Sequence, residues 1–431
     1  MAETIFAPAT GRGPSALCVV RISGPRAWDA VAELTGRDLP QPRRMALRVL
    51  RDRDGEVLDE ALVVLFAEGA SASGEAMAEL HLHGSPAVVS AVLGRLTELP
   101  GLRLAEPGEF ARRALEKGRL DLAQIEGLAD LLAAETEAQR RQAMRVMRGW
   151  LSGLAEAWRA DLVHARALAE VMIDFSDEDV PADTTPEIRA AVQRCLHAMR
   201  QELAGARAAE RLREGFEVAV IGPPNAGKST LINRIARREV AITSPEPGTT
   251  RDVLEVRLDL RGLPVTLLDT AGLREARDAV ERIGVARARE RAEQADLRVL
   301  LLSGEGEAPD IPLQPGDIRV RGKADLCPEV RGLAVSGVTG AGIDALLDQI
   351  ADTLRQRADS ASSLAHLRQR QAIADAVAAL EEAEALLESG GAIELVAECL
   401  RAATARLEGL VGRVDVEQVL DEIFARFCLG K

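Results

Sequence analysis

The chain has 431 residues, 47% of them hydrophobic and 28% charged, which is enough for two or three domains with buried cores. Its formal net charge of −14 excludes a polybasic binder of nucleic acid, so any nucleic acid must be bound at a local patch. No stretch approaches the roughly 18 apolar residues of a membrane helix, and the opening residues do not resemble a signal peptide. The five cysteines are scattered without CxxC spacing, which argues against disulfides and structural zinc. We therefore predict a cytoplasmic protein.

The first predicted domain covers residues 1–116. Short β-rich runs at 17–22, 61–66 and 78–83 are separated by turns rich in Gly, Pro and Asp, and residues 86–98 have a helical pattern. This mixture predicts an α+β domain.

Helical patterns occupy two separated segments, residues 117–212 and 356–431. In the first segment, apolar side chains recur every three or four residues, which predicts one continuous helix face. Its members are Met144, Met147, Leu151, Leu154, Trp158 and Leu162. The acidic, proline-bearing residues 173–187 predict a connection between helices. In the second segment the predicted apolar positions are Ile373, Val377, Leu380, Leu387, Leu410, Val414, Val419, Ile423 and Phe427.

Residues 213–355 alternate strands and helices, as a doubly wound α/β sheet does. The predicted strands are 216–221, 253–260, 265–269, 297–302, 318–320 and 332–335. Because helical segments lie on both sides, we predict that this α/β domain is inserted into one discontinuous all-α domain. The predicted fold class is therefore multidomain.

A phosphate-binding loop follows the first strand of the α/β domain. In GPPNAGKST, residues 222–230, the positions Gly222, Gly227, Lys228 and Ser229 match GxxxxGK[ST]. Glycines let successive backbone N–H groups point into one concavity that binds phosphate oxygens. Lys228 adds a positive charge, and the Ser229 hydroxyl is a predicted Mg²⁺ ligand. Only four of the 54 basic residues are lysines, which makes this lysine a specific signal.

Two further motifs follow in the order expected of a nucleotide hydrolase. DTAG, residues 269–272, closes a predicted strand, where Asp269 can hold the Mg²⁺ shell through water and the Gly272 N–H can contact the γ-phosphate. GTTRD, residues 248–252, offers Thr250 as a second Mg²⁺ ligand. Together with the phosphate loop, these motifs resemble those of the translation-factor branch of P-loop GTPases.

The base-recognition motif departs from the Asn-Lys-x-Asp pattern that this resemblance predicts. The chain has GKAD at residues 322–325, with glycine in place of asparagine. Asp325 can still accept hydrogen bonds from the N1–H and amino groups of guanine, which adenine does not offer, and Lys323 can cover the base. SGV, residues 336–338, resembles the loop whose backbone N–H binds the guanine oxygen, and Gly337 keeps that N–H. The sequence therefore favours guanine as the base. We expect it to be bound more weakly than in a protein that has asparagine at position 322.

No catalytic glutamine follows DTAG, because the next residue is Leu273. Water activation must therefore come from elsewhere. In GTPases that dimerise and use potassium, an asparagine at the position of Asn225 coordinates K⁺ in place of an arginine finger. The alternative is that Asn225 only tolerates a tight turn.

Three segments carry a resemblance that spans the whole chain. CLGK at residues 428–431, the opening residues 4–25 and residues 104–132 resemble the C-terminal motif, the opening and the interdomain signature of the MnmE (TrmE) family of tRNA modification GTPases. That family belongs to the TrmE-Era-EngA-like group of P-loop GTPases. The resemblance implies an N-terminal domain that dimerises and binds folate, a discontinuous helical domain and an inserted G domain.

The resemblance also implies a folate site. Its positions in this chain are Arg21, Glu79, Arg119 and Lys431. A glutamate suits the amino edge of a pterin, and cations suit the carboxylates of folate. Residues 71–79 depart from the family pattern, since Ala72 and Ala76 replace an aromatic and an acidic residue. Without the resemblance, Arg21 and Glu79 would be interpreted as solvated strand charges.

The nucleotide site implied by the resemblance is larger than the motifs alone. The GTP-binding positions are Gly222, Asn225, Ala226, Gly227, Lys228, Ser229, Thr230, Ser244, Thr249, Thr250, Asp269, Thr270, Ala271, Gly272, Lys323, Asp325, Ser336 and Gly337. The Mg²⁺ ligands are Ser229 and Thr250. The K⁺ ligands are the side chains of Asn225 and Thr249 with main-chain oxygens of Ser244 and Glu246. The catalytic positions are Lys228, Asp269, Glu281 and Cys428. Glu281 would position the attacking water through another water. The Cys428 thiol would either act in the modification or only pack beside the folate.

The implied activity is GTP hydrolysis coupled to tRNA modification. A homodimer would act with the FAD-bearing protein MnmG (GidA), in a heterotetramer or larger complex. The product would be a carboxymethylaminomethyl or aminomethyl group at carbon 5 of wobble uridine 34. The one-carbon unit would come from 5-formyl- or 5,10-methylene-tetrahydrofolate, the amine would come from glycine or ammonium, and pairing of two G domains would drive K⁺-dependent hydrolysis.

Two other classes of function stay open at this point. The first is a GTP-switched RNA-binding or ribosome-assembly factor, which the acidic balance and the lack of a basic appendage disfavour. The second is a nucleotide-gated scaffold without turnover, which Gly322 leaves open because weak base binding would impair the cycle.

Overall fold

The chain folds into two compact units. The computed structural model describes residues 3–11, 13–36, 39–174, 183–223, 225–238, 240–242, 255–269, 290–291, 293–303, 314, 316–326, 332–412 and 430. One unit comprises Met1–Ala129 with Glu408–Lys431, and the other comprises Asp130–Leu407.

The first unit is built on a six-stranded sheet with the strand order β3-β4-β5-β2-β1-β6. The strands are β1 (Thr4–Pro8), β2 (Leu17–Ser23), β3 (Ala46–Arg51), β4 (Val57–Phe66), β5 (Met77–His83) and β6 (Leu102–Leu104). The helices in this part of the chain are α1 (Ala27–Thr35), α2 (Pro86–Thr97), α3 (Glu109–Glu116) and α4 (Leu122–Ala133). All strand pairs are antiparallel except β1 with β6. The predicted strands and the predicted helix at 86–98 are confirmed.

One face of this sheet is apolar and packs against α1 and α2. Val20 and Ile22 of β2 are fully buried, whereas Arg21 between them faces the other way, because successive side chains of a strand alternate. The same alternation in β5 buries Leu80 and Leu82. The opposite face is therefore available for polar residues.

The second unit contains helices on both sides of a second sheet. In chain order its elements are α5 (Glu137–Met147), α6 (Trp150–Asp174), α7 (Thr185–Glu214), β7 (Phe216–Ile221), α8 (Lys228–Ala236), β8 (Glu255–Leu260), β9 (Leu263–Asp269), β10 (Leu297–Leu302), β11 (Ile318–Arg321), α9 (Ile343–Ala358), α10 (Leu367–Ser389) and α11 (Ile393–Val411). Across the described part of the chain, no helix has both the length and the apolar composition that crossing a membrane requires.

The helices before and after the second sheet pack together. Arg189 of α7 donates from Nη2 to the Leu387 carbonyl of α10 (2.8 Å), and Arg200 pairs with Glu381 (2.8 Å). The predicted apolar face of α10 is buried. The predicted positions from Val414 onward lie outside the described residues. These contacts confirm the predicted fold class, in which a discontinuous all-α domain contains an inserted α/β domain.

The single helix face predicted to run through Met144 and Met147 into α6 is wrong. α5 ends at Met147, and the chain enters α6 through Gly149, whose φ is 84°. This left-handed residue changes the helix direction, so the apolar period starts again. α5 buries Ala143 and Val146, while both methionines are only half-buried.

The second sheet has the strand order β11-β10-β7-β9-β8 and is parallel except for β8, which runs antiparallel to β9. The strand predicted at 332–335 shrinks to a single bridge between Ala334 and Arg321. The chain turns away directly afterwards, where the Ser336 N–H donates to the Ala341 carbonyl (2.9 Å). Local β-propensity predicted a strand there, but the turn ends the pairing after one residue.

A buried ion pair joins two neighbouring strands near the points where they begin. Arg298 on β10 is 2% exposed and donates to Asp317, next to β11, from Nε (3.0 Å) and from Nη2 (2.6 Å). Removing two charges from water is costly, and only close, bidentate geometry offsets that cost. The pair therefore fixes the register of β10 and β11 more than it adds net stability.

We expect Arg298→Met to lower the free energy of unfolding by about 3–5 kcal/mol, because it leaves the Asp317 carboxylate buried without its cation. Urea unfolding of the full chain measures the loss. The control is the double variant Arg298→Met with Asp317→Leu, in which an apolar pair recovers most of the stability. A double variant as unstable as Arg298→Met alone would contradict this explanation.

Candidate functional site

The phosphate-loop motif connects β7 to α8 at the carboxyl edge of the parallel strands. A Cβ on Gly222 would lie 2.1 Å from the Leu301 carbonyl oxygen of β10, so no other residue fits there. Gly227 caps the N-terminus of α8 with a φ of 99°. Asn225 has a φ of 64°, a conformation that asparagine tolerates better than most residues. The backbone conformation thus supplies a reason for an asparagine that is independent of metal binding.

Lys228, predicted to contact phosphates, and Asp269, predicted to hold the Mg²⁺ water shell, both lie at this edge. Lys228 is 7% exposed, and its ammonium donates to the carbonyls of Gly222 (2.7 Å) and Pro223 (3.0 Å). Asp269 is the last residue of β9, is also 7% exposed, and is the register partner of Val220. Parallel strands bring their carboxyl ends to one edge, which is where α/β proteins bind nucleotides.

The predicted base-recognition residues line the same cavity as the phosphate loop. This cavity has a volume of about 190 Å³. Its lining residues are Ala226, Gly227, Thr230, Leu231, Leu301, Gly322, Lys323, Asp325, Leu326, Val335, Gly337 and Val338. Lys323 and Asp325 are exposed at its rim. Residues more than 90 positions apart in the sequence therefore meet around one opening.

Glycine at position 322 has a structural reason. A Cβ there would lie 2.8 Å from the Ala226 carbonyl oxygen and 3.3 Å from the Leu301 side chain. The Gly322 N–H donates to the Leu302 carbonyl (2.7 Å), which fixes the backbone in this position. The asparagine expected from the resemblance does not fit unless the phosphate loop moves.

A second close approach fixes the SGV loop. A Cβ on Gly337 would lie 2.8 Å from the backbone nitrogen of Leu231 in α8. Ser336 is fully buried, and its hydroxyl accepts from the N–H groups of Val338 (3.2 Å) and Thr339 (3.1 Å). The loop is thus closed by its own serine and rests directly on the helix that follows the phosphate loop.

Several predicted positions lie outside the described residues. They are Ser244, Glu246, Thr249, Thr250, Thr270, Ala271, Gly272, Glu281, Cys428 and Lys431. The second Mg²⁺ ligand, most of the K⁺ ligands and the glutamate for water therefore stay predictions.

The predicted folate residues include a cross-strand ion pair in the first unit. Arg21 of β2 is the register partner of Glu79 of β5, and Arg21 Nε lies 2.9 Å from Glu79 Oε1. Their side chains are 30% and 15% exposed. Arg119 is close to the loop before β5, since a Cβ on Gly74 would lie 2.9 Å from its Cγ. Gly430 packs on the end of β1, where its Cβ would meet the Pro8 carbonyl.

Sequence reasoning missed a buried polar cluster on the same face. Ser23 lies two residues after Arg21, so its side chain faces the same side of the sheet. The Ser23 hydroxyl donates to Glu75 Oε2 (2.8 Å), and Arg113 of α3 also donates to that oxygen (2.9 Å). The alternation of side-chain direction along residues 21–23 could have predicted that Ser23 lies on the same face as Arg21. No local pattern predicted that Arg113 would reach this cluster.

Burial disfavours the reactive form of three cysteines. Burial raises the pKa of the Cys195 thiol to about 12 and also raises the pKa values of Cys18 and Cys399. The reactive form of cysteine is the thiolate, so these thiols stay protonated near neutral pH.

The fold and the site together define a P-loop GTPase. The phosphate loop lies between a parallel strand and a helix, an aspartate ends the neighbouring strand, and a GKAD loop faces the same cavity.

Comparison with known proteins places the chain more narrowly. It matches the family described as GTP-binding protein TrmE N-terminus over residues 4–119 and the family described as MnmE helical domain over residues 122–428. Three relatives carry the name tRNA modification GTPase MnmE. The chain is 56% identical to the one from Cereibacter sphaeroides strain ATCC 17025, 58% identical to the one from strain ATCC 17029 and 54% identical to the one from Dinoroseobacter shibae. Each match covers 100% of this chain and 100% of the relative. The chain belongs to the MnmE family of tRNA modification GTPases. It is a GTP hydrolase of tRNA modification.

We expect Gly322→Ala to weaken GTP binding by about 1–3 kcal/mol, because its Cβ overpacks the Ala226 carbonyl. Gly322→Asn, which introduces the usual asparagine, should also bind less tightly than the unmodified chain. Equilibrium binding of a fluorescent GTP analogue measures both.

The matched control for these variants is Gly94→Ala in α2, where a Cβ meets no atom within 4 Å. Its nucleotide affinity should be unchanged. Tighter binding by Gly322→Asn would contradict the steric argument.

Proposed function

We propose that this GTPase acts with the flavoprotein MnmG to build an aminomethyl-type group on carbon 5 of wobble uridine 34 in tRNA. The carbon would come from formyl- or methylene-tetrahydrofolate and the amine from glycine or ammonium. The observation that carries the proposal is the Arg21–Glu79 pair on a polar sheet face, in a chain that also holds a nucleotide cavity.

The polar face of β2 and β5 suits a folate. A carboxylate such as Glu79 accepts hydrogen bonds from the N–H and amino groups of a pterin, and Arg21 and Arg119 match the carboxylates of folate. The Glu75 carboxylate, held by Ser23 and Arg113, keeps this end of the face polar and buried. The terminal Lys431 would add another cation.

The nucleotide cavity suits GTP. Lys228 would leave the two loop carbonyls and pair with phosphate oxygens, where it stabilises the charge that develops on cleavage. Ser229 and Thr250 would ligate Mg²⁺, and Asp269 would hold its water shell. Bound Mg²⁺ neutralises phosphate charge.

The guanine end of the cavity would be held by three groups. Asp325 would accept from the guanine N1–H and amino group, Lys323 would cover the ring, and the Gly337 N–H would bind the guanine oxygen. All three belong to loops that contact the phosphate loop or α8.

A potassium ion would assist hydrolysis when two G domains of a homodimer meet. The side chains of Asn225 and Thr249 and the main-chain oxygens of Ser244 and Glu246 would bind it, and Glu281 would position the attacking water. Asn225 is exposed on the loop, which is consistent with a ligand supplied toward a second G domain. Bound K⁺ supplies the positive charge that an arginine finger provides in other GTPases.

A nucleotide-gated scaffold is the second candidate function. Gly322 keeps this alternative open, because the loop lacks the asparagine side chain that would reach the base edge. Slow turnover in every cation would support this alternative.

We expect phosphate release from GTP to be on the order of tenfold or more faster in KCl than in NaCl, because K⁺ replaces an arginine finger. ATP should be hydrolysed far more slowly than GTP, since adenine cannot donate to Asp325. Phosphate release from each nucleotide with Mg²⁺, in each salt, measures both.

Each outcome of this assay bears on a different residue. A GTP hydrolysis rate that is the same in KCl and NaCl would contradict the role of Asn225. Equal hydrolysis rates for ATP and GTP would contradict guanine recognition by Asp325. Asn225→Gly is the matched variant, because glycine keeps the positive φ of this residue and removes the amide, and it should lose the potassium stimulation.

We expect Glu79→Gln to weaken binding of 5-formyl-tetrahydrofolate by about 2–5 kcal/mol, because an amide no longer accepts from the pterin as a carboxylate does and leaves Arg21 without its partner. Calorimetric titration of the full chain measures the loss. The control is Glu56→Gln, an exposed acidic residue in the turn before β4. Unchanged folate affinity in Glu79→Gln would rule out this site.

A further inference from the structure

The second unit carries an arginine–tryptophan patch that neither the nucleotide site nor the folate site uses. The patch consists of Arg141, Arg145, Arg148 and Trp150, all of which are exposed. Arg141 and Arg145 lie on α5 and Arg148 is its C-cap residue, so their spacing of four and three residues places them along one side of the helix. Trp150 begins α6, and 51% of it is exposed. A large exposed aromatic ring beside a row of cations offers a stacking surface next to positive charge.

The patch is basic within an acidic protein. Between Glu137 and Glu156 the chain has four arginines and no acidic residue, whereas the whole chain has a net charge of −14. Arg141 shares the Glu137 carboxylate with Arg140 at 2.7 Å. Within the described ranges, Arg145 and Arg148 form no salt bridge. Their positive charge is therefore available to an anionic partner.

The tryptophan ring is held in place next to an open hollow. The Arg145 guanidinium carbon lies 4.4 Å from the centre of the Trp150 ring, a cation–π contact that restricts the ring. The adjacent hollow has a volume of about 510 Å³. It is lined by Arg145, Arg148, Gly149, Trp150, Gly153 and Leu154. A Cβ on Gly153 would meet no atom within 4 Å, so the hollow stays open beside the ring.

We propose that this patch binds an unpaired segment of tRNA, with the arginines on phosphates and Trp150 stacked on a base. Proteins bind unpaired RNA by stacking its bases on aromatic and arginine side chains, while cations follow the backbone. Because the rest of the chain is acidic, RNA is attracted mainly to such a local patch. An acidic protein would also attract the arginines, but it gives no reason for a ring beside an open hollow. The inference rests on the proposal that tRNA is the substrate.

The phosphate contacts are tested by the double variant Arg145→Gln with Arg148→Gln. Fluorescence anisotropy with a labelled, unmodified tRNA transcript gives the affinity of the full chain over a range of KCl concentrations. We expect the affinity to fall about tenfold at moderate salt. The slope of log affinity against log salt should decrease in magnitude by about 1.4, which is roughly 0.7 for each phosphate contact of single-stranded RNA.

The stacking contact is tested by Trp150→Leu, which keeps an apolar side chain and removes the ring. We expect tRNA affinity to fall about 5- to 100-fold with no change in the salt slope, because stacking releases no counterions. Addition of tRNA should also quench tryptophan fluorescence in the unmodified chain and not in Trp150→Leu. Of the other two tryptophans, Trp158 is 5% exposed and Trp28 is half-buried in the first unit, so neither should respond.

The matched control is Arg401→Gln with Arg406→Gln, which removes two arginines from another exposed helix surface, where they are 59% and 61% exposed. Its affinity and salt slope should equal those of the unmodified chain, and circular dichroism should show that all variants melt alike. If the unmodified chain binds tRNA and both patch variants bind it equally well with the same slope, the patch is not an RNA site and a protein partner becomes its explanation. If the unmodified chain binds no tRNA, the tRNA part of the proposed function fails together with this inference.

Discussion

The second sheet depends on backbone atoms that approach too closely for side chains to lie between them. Gly222 lies against the Leu301 carbonyl, Gly322 lies against the Ala226 carbonyl, and Gly337 lies against the first turn of α8. These contacts join the phosphate loop to β10 and to both loops of the base site. Since packed backbones cannot compress, the phosphate end and the base end of the nucleotide cavity keep a fixed separation.

The same sheet is joined to the helical domain at the start of β7. α7 leads into β7 through Gly215, and Arg211 of α7 lies 2.9 Å from Asp296. Burial raises the pKa of Asp296, while the Glu217 N–H and Arg211 oppose that shift. The Gln139 side chain of α5 donates to the Arg213 carbonyl of α7 (2.9 Å). The strand that carries the phosphate loop is therefore continuous with a helix of the surrounding domain.

In the first unit, the β-sheet alternation that builds the core also builds the candidate folate face. Val20 and Ile22 bury toward α1 and α2, which forces Arg21 and Ser23 to the other face. Pairing with β5 then places Glu79 opposite Arg21. The backbone geometry that forms the core of the first unit thus also places its polar residues on one face. The identity of those side chains then decides which ligand the face can bind.

Of the six strands of the first sheet, local patterns in the sequence predicted β2, β4 and β5 and missed the other three. The same kind of pattern predicted the helix at 86–98, the phosphate-loop motif at 222–230 and the layout of an α/β domain between two helical segments. These follow from local periodicity and from the conformational freedom of glycine. The end of α5 at Gly149 and the shortening of the strand at 332–335 emerge only from the structure, because apolar periodicity and β-propensity do not show where a turn interrupts an element. The tertiary structure alone also decided which distant groups meet. The Arg298–Asp317 pair, the contact of Arg113 with Glu75 and the steric need for glycine at 322 join elements that are remote in the chain, and no local pattern records such contacts.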